Sequence, residues 1–433
     1  MTKTLHLIHL GCRVNQYELA AMGELLKIHG IISLSSKKSP PDICLINTCC
    51  VTKRASMQSR QAVRHSIRQF PTAKIIVTGC YAQLDPVTLA KIPGVSGILG
   101  NTHKEKIVSF TKDVLANSAL QKLYSDVKEI DIFQELPPDC SGNRTRPIVK
   151  IQDGCNAFCS YCIVPSVRGK SRSLPIASVL DQVNQLAKKG FAEIVLSGIH
   201  LGQYGLDLTP KINLETLLQK LLSTDIPRIR LSSIDPTELT ENMISIIAQN
   251  KKFCRHLHIP LQSGDNTILR KMNRAYTRDF FFQKINEVHQ RIPGVAIGVD
   301  VIVGFPGETQ EAFKTTFSLL EELPVSYLHV FPYSKRPDTP AALLPDTISS
   351  QKMKERTQKL RTLSVLKQEK FLNRFIGQKL DVILESCKDE KYLQGTSDNY
   401  ISVRTKCSKE NLHKRITVEI SRIKGKIAIG EKI

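Results

Sequence analysis

The sequence predicts an α/β protein in which two regions of alternating strands and helices are followed by a small β-barrel. Short apolar runs suited to buried parallel strands alternate with helix-like stretches from the N-terminus, and the alternation starts again near residue 146. From residue 376 onward the chain changes to short strands separated by glycine and polar turns. With 433 residues, the chain is long enough to build several separate cores.

Residues 1–112 are predicted to form a small doubly wound α/β domain, because strands that alternate with helices build a parallel sheet with helices on both faces. The predicted strands are residues 4–10, 43–47, 74–79 and 97–100, and the predicted helices are residues 15–30 and 54–70. Residues 113–140 lose this periodicity and lead into a stretch rich in proline and polar residues, so we predict a linker there.

Residues 141–372 are predicted to form a partial barrel of six strand–helix units. The predicted strands are residues 147–153, 192–198, 228–233, 257–262, 296–305 and 326–331. In such a barrel the functional site lies at the C-terminal ends of the strands. A basic helix predicted over residues 350–375 is either an RNA-binding surface or a solvated connecting helix. Residues 373–433 are predicted to form a small β-barrel, broadly of the kind that binds oligonucleotides.

The charge balance suggests a polyanionic partner. The formal net charge is +21, and nucleic acid is the first candidate, although many basic proteins do not bind it. Tryptophan is absent and aromatic residues are few, so a broad platform for stacking bases is not expected. The N-terminus lacks the apolar stretch of a signal peptide, and no apolar run reaches the length of a membrane span. We therefore expect a cytoplasmic protein without membrane contact.

Three cysteines follow three different predicted strands of the first region. Cys12, Cys49 and Cys80 each lie where a strand ends, and the carboxyl ends of parallel strands meet at one edge of a sheet. We predict a three-thiol metal site there, against the alternative that these are ordinary buried core residues. Cys50 adjoins Cys49 and is ambiguous, but we assign the ligand to Cys49. Cys44 is expected in the core.

Cys155, Cys159 and Cys162 form a tighter group after the strand predicted at residues 147–153. Soft thiolates at short spacing favour zinc or an iron–sulfur cluster. Three thiols would hold three irons of a [4Fe–4S] cube and leave the fourth open, whereas zinc completed by a distant histidine is the alternative. The remaining cysteines have no partner at ligand spacing and are expected to be structural or incidental: Cys140, Cys254, Cys387 and Cys407.

The spacing C-x3-C-x2-C at the first strand of a βα barrel, with Tyr161 before the last cysteine, resembles the signature of the radical S-adenosylmethionine (SAM) superfamily. Segments over nearly the whole chain then resemble the methylthiotransferases of that superfamily: "GCRVNQYE", "NTC", "TGC", "DGCNAFCSYCIVPSVRG", "HLHIPLQSGDNTILRKMNRAYT", "GVDVIVGFPGET" and "LHVFPYSKR". That family implies an N-terminal three-cysteine domain, a radical SAM core and a C-terminal TRAM domain that binds RNA.

Within the family, "GCRVNQYE" and "FPYSKR" look most like the branch that converts N6-threonylcarbamoyladenosine at tRNA position 37, beside the anticodon on its 3′ side, to the 2-methylthio form. Two alternatives keep the reaction but use isopentenyladenosine in tRNA or a ribosomal protein. A third, of a different class, is a metal-stabilised RNA-binding protein without catalysis. Two positions depart from the usual pattern, since Cys50 stands where a non-cysteine is more common and Asp338 replaces a common glycine.

The resemblance implies two [4Fe–4S] clusters and SAM as cofactors. The catalytic cluster cleaves SAM to a 5′-deoxyadenosyl radical that removes the hydrogen at C2 of the adenine, and its implied ligands are Cys155, Cys159 and Cys162. The second cluster supplies the sulfur, and its implied ligands are Cys12, Cys49 and Cys80. The implied partners are the tRNA substrate, an external electron donor of the flavodoxin or ferredoxin type and a sulfur source.

Supporting roles are implied for two further segments. Ser197 and Gly198 lie at the second strand end, where the superfamily contacts the SAM amino group, and they are candidates for cofactor binding. Residues 298–308 reach the fifth strand end and either border the adenosyl group or form a tight Gly/Pro turn.

Four basic residues are candidates for contacts with the RNA. Arg168, Lys170 and Arg172 adjoin the second cysteine group and either meet tRNA phosphates or belong to a solvated charged loop. A threonylcarbamoyl group adds a carboxylate to the base, so a nearby cation should select it by charge-assisted hydrogen bonding. Arg336, at the last predicted strand end, is the candidate for that cation.

Overall fold

The computed structural model of the chain describes residues 3–34, 40–139, 144–345, 347–387 and 392–433. Cys140 and the expectation for it lie outside these residues. The described chain has the predicted α/β architecture, with an N-terminal parallel sheet, a second set of parallel strands and a closed C-terminal barrel.

The first sheet has six parallel strands. In chain order its strands are β1 (Lys3–His9), β2 (Ile32–Leu34), β3 (Ile43–Thr48), β4 (Lys74–Gly79), β5 (Val95–Leu99) and β6 (Gln121–Leu123). Its helices are α1 (Arg13–Ile28), α2 (Lys53–Gln69), α3 (Cys80–Leu84), α4 (Pro86–Ala90) and α5 (Ile107–Ala116), with a 3₁₀ segment at Asn101–Lys106. The strand order across the sheet is β2-β1-β3-β4-β5-β6.

Helices cover both faces of this sheet because its central strands are apolar on both. In β3, Ile43 and Leu45 pack in one apolar cluster with α1 and α5. The alternating residues Cys44 and Ile46 pack in another cluster with α2. This doubly wound arrangement places the C-terminal ends of β1, β3 and β4 beside one another at one edge of the sheet.

The first sheet extends beyond the boundary predicted at residue 112. Helix α5 runs to Ala116, and β6 pairs with β5 from Gln121 to Leu123. The prediction of a linker is therefore wrong for residues 113–123, which complete the sheet. The sequence pattern does not reveal this strand, because a three-residue edge strand is too short to show a period.

The middle of the chain contributes six parallel strands. They are β7 (Ile148–Lys150), β10 (Ile194–Ser197), β11 (Ile229–Leu231), β12 (His256–His258), β13 (Ala296–Val303) and β14 (Tyr327–Pro332), and the two-residue strands β8 (Gln152–Asp153) and β9 (Arg172–Ser173) pair beside β7. The helices are α6 (Val164–Arg168), α7 (Ile176–Lys188), α8 (Leu214–Leu221), α9 (Glu241–Gln249), α10 (Asn266–Lys271), α11 (Arg278–Arg291) and α12 (Gln310–Glu322).

These six strands lie in sequence order, as expected of a partial barrel. Backbone hydrogen bonds join β7, β10 and β11 in one sheet and β12, β13 and β14 in another. Parallel bridges from Ile229 to Phe253 and from Ser233 to His258 connect the two sheets. The C-terminal ends of all six strands therefore face the same side of the molecule.

A long helix and a closed barrel complete the fold. Helix α13 (Ser350–Asn373) packs on β14 and carries the chain to the C-terminal barrel. The barrel strands are β15 (Lys379–Cys387), β16 (Tyr392–Ser397), β17 (Ser402–Lys406), β18 (Arg415–Lys424) and β19 (Ile427–Lys432). Among the described residues, no helix is long and apolar enough to cross a membrane.

Buried arginines fix the C-terminal barrel to the middle strands. Arg228 and Arg230 are fully buried, and both pair with the carboxylate of Glu193. Arg228 Nη1 also donates to the carbonyl oxygen of Asp381 at 2.9 Å, and Arg230 Nη1 donates to that of Asp398 at 3.1 Å. Removal of the barrel would leave both guanidinium groups without these partners, so point substitutions test its role better than truncation does.

Candidate functional site

The structure brings Cys12, Cys49 and Cys80 together at the edge of the first sheet. A cavity of about 460 Å³ is lined by these three cysteines and by residues at the strand ends of the middle region. Gly11 allows the close approach, since it has a φ of +98° and an added Cβ would lie 2.8 Å from the Cβ of Cys49. The thiols that sequence spacing separates widely therefore face one space.

The thiols of this first group are held by protein atoms on most sides. The Cys12 side chain is accessible from the cavity, but the protein around it raises its pKa by burial. Burial also raises the pKa of Cys49 to about 11. Such thiols stay protonated near neutral pH unless a metal stabilises the thiolate.

Asn15 positions the loops that carry this first group. Its Nδ2 donates to the carbonyl oxygens of Leu10 and Thr48, each at 2.9 Å, which ties the ends of β1 and β3 together. Its Oδ1 accepts from Arg168 Nη2 at 2.6 Å and lies 3.8 Å from Cys80 Sγ. Asn15 belongs to the segment "GCRVNQYE", but sequence reasoning assigned it no role.

Cys50 and Cys44 do not line the cavity, although their apolar cluster also includes Cys80 of the first group. Both are fully buried in the apolar cluster that also contains Val63 of α2. The lining of the cavity includes Cys49 and not Cys50. This placement agrees with the assignment of Cys49 as the ligand, which remains a proposal, and Cys44 lies in the core as predicted.

The second group, Cys155, Cys159 and Cys162, lies in the loop between β8 and α6. Gly154 has a φ of +73°, and an added Cβ would lie 1.8 Å from the carbonyl oxygen of Lys170, so only glycine fits there. The Cys162 N–H donates to the carbonyl oxygen of Cys159 at 2.9 Å, and burial raises the pKa of the Cys162 thiol to about 12. The loop is thus compact, with its thiols close in space.

Two residues that sequence reasoning missed contact this second group. His200 Nδ1 lies 3.2 Å from Cys155 Sγ, and its Nε2 pairs with Glu238 at 2.8 Å. Arg274 Nη1 donates to Cys159 Sγ at 3.3 Å, and Arg274 also pairs with Asp235. The two residues belong to the segments "LSGIHLG" and "RKMNRAYT", but a motif does not show which of its side chains reach the cysteines.

Ser197 and Gly198 lie at the end of β10 and line the same cavity as the first cysteine group. Gln152 connects this strand end to the second group. Its Nε2 donates to the carbonyl oxygen of Gly154 at 2.8 Å, its Oε1 accepts from the His200 N–H at 2.8 Å, and a Cβ on Gly198 would lie 2.9 Å from that oxygen. The structure thus places the two residues between the cysteine groups, where a role in cofactor binding remains a prediction.

A buried ion network lies between the two cysteine groups. Glu18 of α1 is buried and pairs with Lys104, with Lys150 at 2.9 Å and with Arg168 at 2.9 Å. Lys150 and Arg168 also pair with Asp153. Burial alone would raise the pKa of Glu18, but the three cations hold it well below its usual range. The network joins the first sheet to the middle strands.

Two of the predicted phosphate contacts, those of Arg168 and Arg172, are wrong. Arg168 is 2% exposed and Arg172 is 4% exposed, so neither can meet tRNA. Arg172 donates to the carbonyl oxygens of Lys170 and Arg168 and holds the loop together. Lys170 is exposed. The sequence could not show that carboxylates from distant segments surround these arginines.

Replacement of Glu18 with Ala should lower the free energy of unfolding by about 3 to 5 kcal/mol, because three buried cations lose their shared carboxylate. The measurement is denaturant unfolding of the full chain. The matched control is Glu24→Ala on the same helix. Among the described residues Glu24 forms an ion pair with the more exposed Lys27 alone, at 3.7 Å, so this substitution should cost less than about 1 kcal/mol. Equal losses in the two variants would contradict a structural role for the network.

A cluster of aromatic rings lines the cavity opposite the first cysteine group. It consists of His256, His258, Tyr327, His329 and Tyr400, with the rings of His256 and Tyr400 stacked at 4.3 Å between centroids. His258 Nε2 pairs with Asp300 at 2.9 Å. The low aromatic content predicted no broad stacking platform, but composition does not show that a few rings meet at one place.

Arg336 and residues 298–308 lie apart from the cavity lining. Arg336 is 4% exposed beneath α2, where its Nη2 donates to Ser56 Oγ at 3.3 Å, so the expectation that it selects a substrate carboxylate is corrected. At residues 304–308 the chain makes a tight turn in which the Gly304 N–H donates to Glu308, and Arg356 of α13 pairs with Glu308 at 3.4 Å. This geometry supports the tight-turn interpretation of that segment.

The donor sets fit iron–sulfur clusters chemically, since each consists of three soft thiols on loops that approach each other closely. A four-iron cluster holds each thiolate on a different iron, so its ligands stand farther apart than those of a single ion. Within the part of the chain that the structure describes, no three His, Cys, Asp or Glu side chains converge on a single ion position.

Two family profiles match the chain. The Radical SAM superfamily matches residues 149–320, a range that includes Cys155, Cys159 and Cys162, and the Uncharacterized protein family UPF0004 matches residues 4–100. Among solved structures, the radical SAM methyltransferase TsrM from Kitasatospora setae superposes with a TM-score of 0.59 over 79% of this chain and 77% of that chain. Its sequence identity is 15%, so this likeness supports the fold alone.

Two curated relatives match over nearly the full length. The threonylcarbamoyladenosine tRNA methylthiotransferase MtaB of Bacillus subtilis (strain 168) is 38% identical over 95% of this chain and 92% of its own. The tRNA-2-methylthio-N(6)-dimethylallyladenosine synthase of Staphylococcus haemolyticus (strain JCSC1435) is 33% identical over 96% of this chain and 82% of its own. Because both relatives are more than 30% identical to this chain over nearly its full length, the chain belongs to the radical SAM methylthiotransferase family.

Proposed function

We propose that this chain inserts a methylthio group at C2 of N6-threonylcarbamoyladenosine in tRNA, beside the anticodon at position 37. The observation that carries the proposal is the 38% identity to the Bacillus subtilis enzyme of that name over 95% of the chain. The dimethylallyladenosine synthases match less closely, at 33%. The net charge of +21 is consistent with a tRNA substrate.

We assign a different part of the reaction to each of the two cysteine groups. We assign Cys155, Cys159 and Cys162 to the [4Fe–4S] cluster that binds SAM, and Cys12, Cys49 and Cys80 to a second cluster that carries the sulfur. When bound, these groups supply the electron and sulfur chemistry, which protein side chains cannot perform. The cavity at the strand ends, which the first group lines, and the buried Glu18 network between the two groups support this assignment. An external electron donor of the flavodoxin or ferredoxin type and a sulfur source complete the proposed partners.

Three further proposals accompany this assignment of the two cysteine groups. Ser197 and Gly198, between the cysteine groups, are proposed to contact SAM, because their strand end borders the cavity. The predicted division into an N-terminal domain, a radical SAM core and a TRAM domain is kept as a proposal, with the first boundary moved past Leu123. The C-terminal barrel is proposed to bind tRNA.

An assay with a tRNA substrate that carries deuterium at C2 of the base tests the proposal directly. Purified enzyme with reconstituted clusters, SAM and a reductant should release 5′-deoxyadenosine that contains deuterium and should yield the methylthio nucleoside. The matched control is the same tRNA without the threonylcarbamoyl group. Deuterium-free 5′-deoxyadenosine beside an unmodified base would contradict hydrogen removal at C2.

A basic hairpin of the C-terminal barrel is the surface proposed to hold tRNA phosphates. Arg422, Lys424 and Lys426 are exposed along the end of β18 and its turn into β19. Lys426 also lies in the groove that leads to Tyr327 and Tyr400 at the cavity. Phosphate contacts from such cations supply affinity without sequence preference.

Replacement of these three residues with Ala should weaken tRNA binding, and the slope of log affinity against log salt should decrease by about 0.7 to 0.9 for each phosphate that the variant no longer binds. The measurement is a binding titration at several salt concentrations. The control replaces three exposed lysines of α13 with Ala: Lys352, Lys354 and Lys359. A larger loss in the control would move the RNA-binding surface to the basic helix.

A further inference from the structure

Arg13 lines the cavity and connects the first sheet to the C-terminal barrel. It follows Cys12 directly, begins α1 and lines the cavity together with the first cysteine group and the end of β10. Its guanidinium extends to the C-terminal barrel, where Nη2 donates to the hydroxyl oxygen of Tyr400 at 3.2 Å. A residue of the first sheet and a residue of the barrel thus meet at one wall of the cavity.

Tyr400 is held firmly enough to orient Arg13. It lies in the turn between β16 and β17 with a φ of +66°, a conformation that non-glycine residues adopt rarely. Its ring stacks on His256 at 4.3 Å between centroids, and the guanidinium of Arg230 lies 5.1 Å from the ring centroid. Because Arg230 is fully buried and paired with Glu193, the ring has a fixed support.

The charge of Arg13 is not matched by a carboxylate. Among residues 3–34, 40–139, 144–345, 347–387 and 392–433, no Asp or Glu lies within ion-pair distance of it. The other arginine of the cavity lining, Arg168, is paired with Glu18 and Asp153. Burial lowers the pKa of His256, and the nearby charges of Arg230 and, to a smaller extent, Arg13 lower it further, so that ring stays neutral. Among the described residues that line the cavity, Arg13, which follows Cys12, therefore presents the one guanidinium without a carboxylate partner.

Building on the proposed function, we propose that Arg13 binds the carboxylate of the threonylcarbamoyl group and so selects that base. The planar guanidinium can pair with a carboxylate through two parallel hydrogen bonds while Tyr400 holds the remaining edge. Ring positions C2 and C6 of adenine both flank N1, so a substituent on N6 can reach the wall beside the sulfur-carrying cysteines when C2 faces them. Adenosine and isopentenyladenosine offer no anion to Arg13.

The test compares two anticodon stem-loop RNAs that differ only in the threonylcarbamoyl group, each bound by the full chain at one salt concentration. The wild-type chain should prefer the modified RNA by about 10- to 100-fold, the range of a hydrogen bond between charged groups. Arg13→Gln should remove this preference and leave affinity for the unmodified RNA unchanged, whereas Arg13→Lys should keep part of it. The control, Arg64→Gln on the exposed face of α2, should leave the ratio at its wild-type value.

Two outcomes would overturn the inference. Unchanged affinity for both RNAs in Arg13→Gln would mean that Arg13 does not bind the carboxylate. An equal loss for both RNAs would make Arg13 a phosphate contact, as expected of any cation at the surface. The proposed function fails separately, if the wild-type enzyme forms no methylthio product from threonylcarbamoyladenosine. Product formation by the wild type with an unchanged ratio in Arg13→Gln would reject the role of Arg13 alone.

Discussion

Replacement of Cys155, Cys159 or Cys162 with Ala should reduce 5′-deoxyadenosine formation to the level of protein-free controls. The physical reason is that thiolates hold the irons of the cluster, and the loop offers no substitute ligand at the vacated position. The measurement is SAM cleavage by each variant, after iron and sulfide reconstitution, with a strong chemical reductant.

Iron analysis separates cluster loss from general unfolding in these variants. The wild-type chain should hold about eight irons and each variant about four, since only one of two cubes is lost. Cys407→Ala, in the C-terminal barrel, is the control and should keep both the iron content and SAM cleavage. Undiminished SAM cleavage in any of the three variants would refute the assignment of the catalytic cluster.

Replacement of Cys12, Cys49 or Cys80 with Ala should stop methylthio insertion while SAM cleavage continues. These thiols face the cavity from the first sheet, whereas Gln152 holds the loop of the second group through the carbonyl oxygen of Gly154. Loss of the sulfur-carrying cluster therefore removes the sulfur and leaves the radical chemistry. The measurement compares 5′-deoxyadenosine with methylthio nucleoside in the same reaction.

Cys50→Ala is the matched control for this second series. Cys50 is buried in the apolar cluster beneath α2 and does not line the cavity, so its removal should leave methylthio insertion largely intact. Cys49, the residue directly before it in the same turn, should be essential for methylthio insertion. An inactive Cys50→Ala beside an active Cys49→Ala would reverse the assignment of these neighbours.

The fold and both cysteine groups could be predicted because their signals are local or periodic. Apolar runs such as Ile43–Thr48 mark buried strands, and the positions of Cys12, Cys49 and Cys80 after three such strands imply one sheet edge. Strand β6 was missed because three residues at the sheet edge carry no period.

The surroundings of the site could not be predicted, because they depend on contacts between distant segments. From the sequence, Arg168 was expected in a charged loop. In the structure it is buried in an ion network with Glu18, which lies 150 positions away in the chain. Tyr400 lies in a turn of the barrel and reaches the cavity only through the packing of the barrel on Arg228 and Arg230. Nothing in the local sequence distinguishes such residues from solvated loop residues.

Mass analysis of tRNA nucleosides is the most direct test of the central claim. A strain that lacks this gene should lose 2-methylthio-N6-threonylcarbamoyladenosine and accumulate N6-threonylcarbamoyladenosine, and the wild-type chain supplied in trans should restore the methylthio form. Complementation with Cys155→Ala should not restore it. Restoration of a methylthio group on isopentenyladenosine instead, or of no methylthio nucleoside in tRNA, would contradict the proposed substrate.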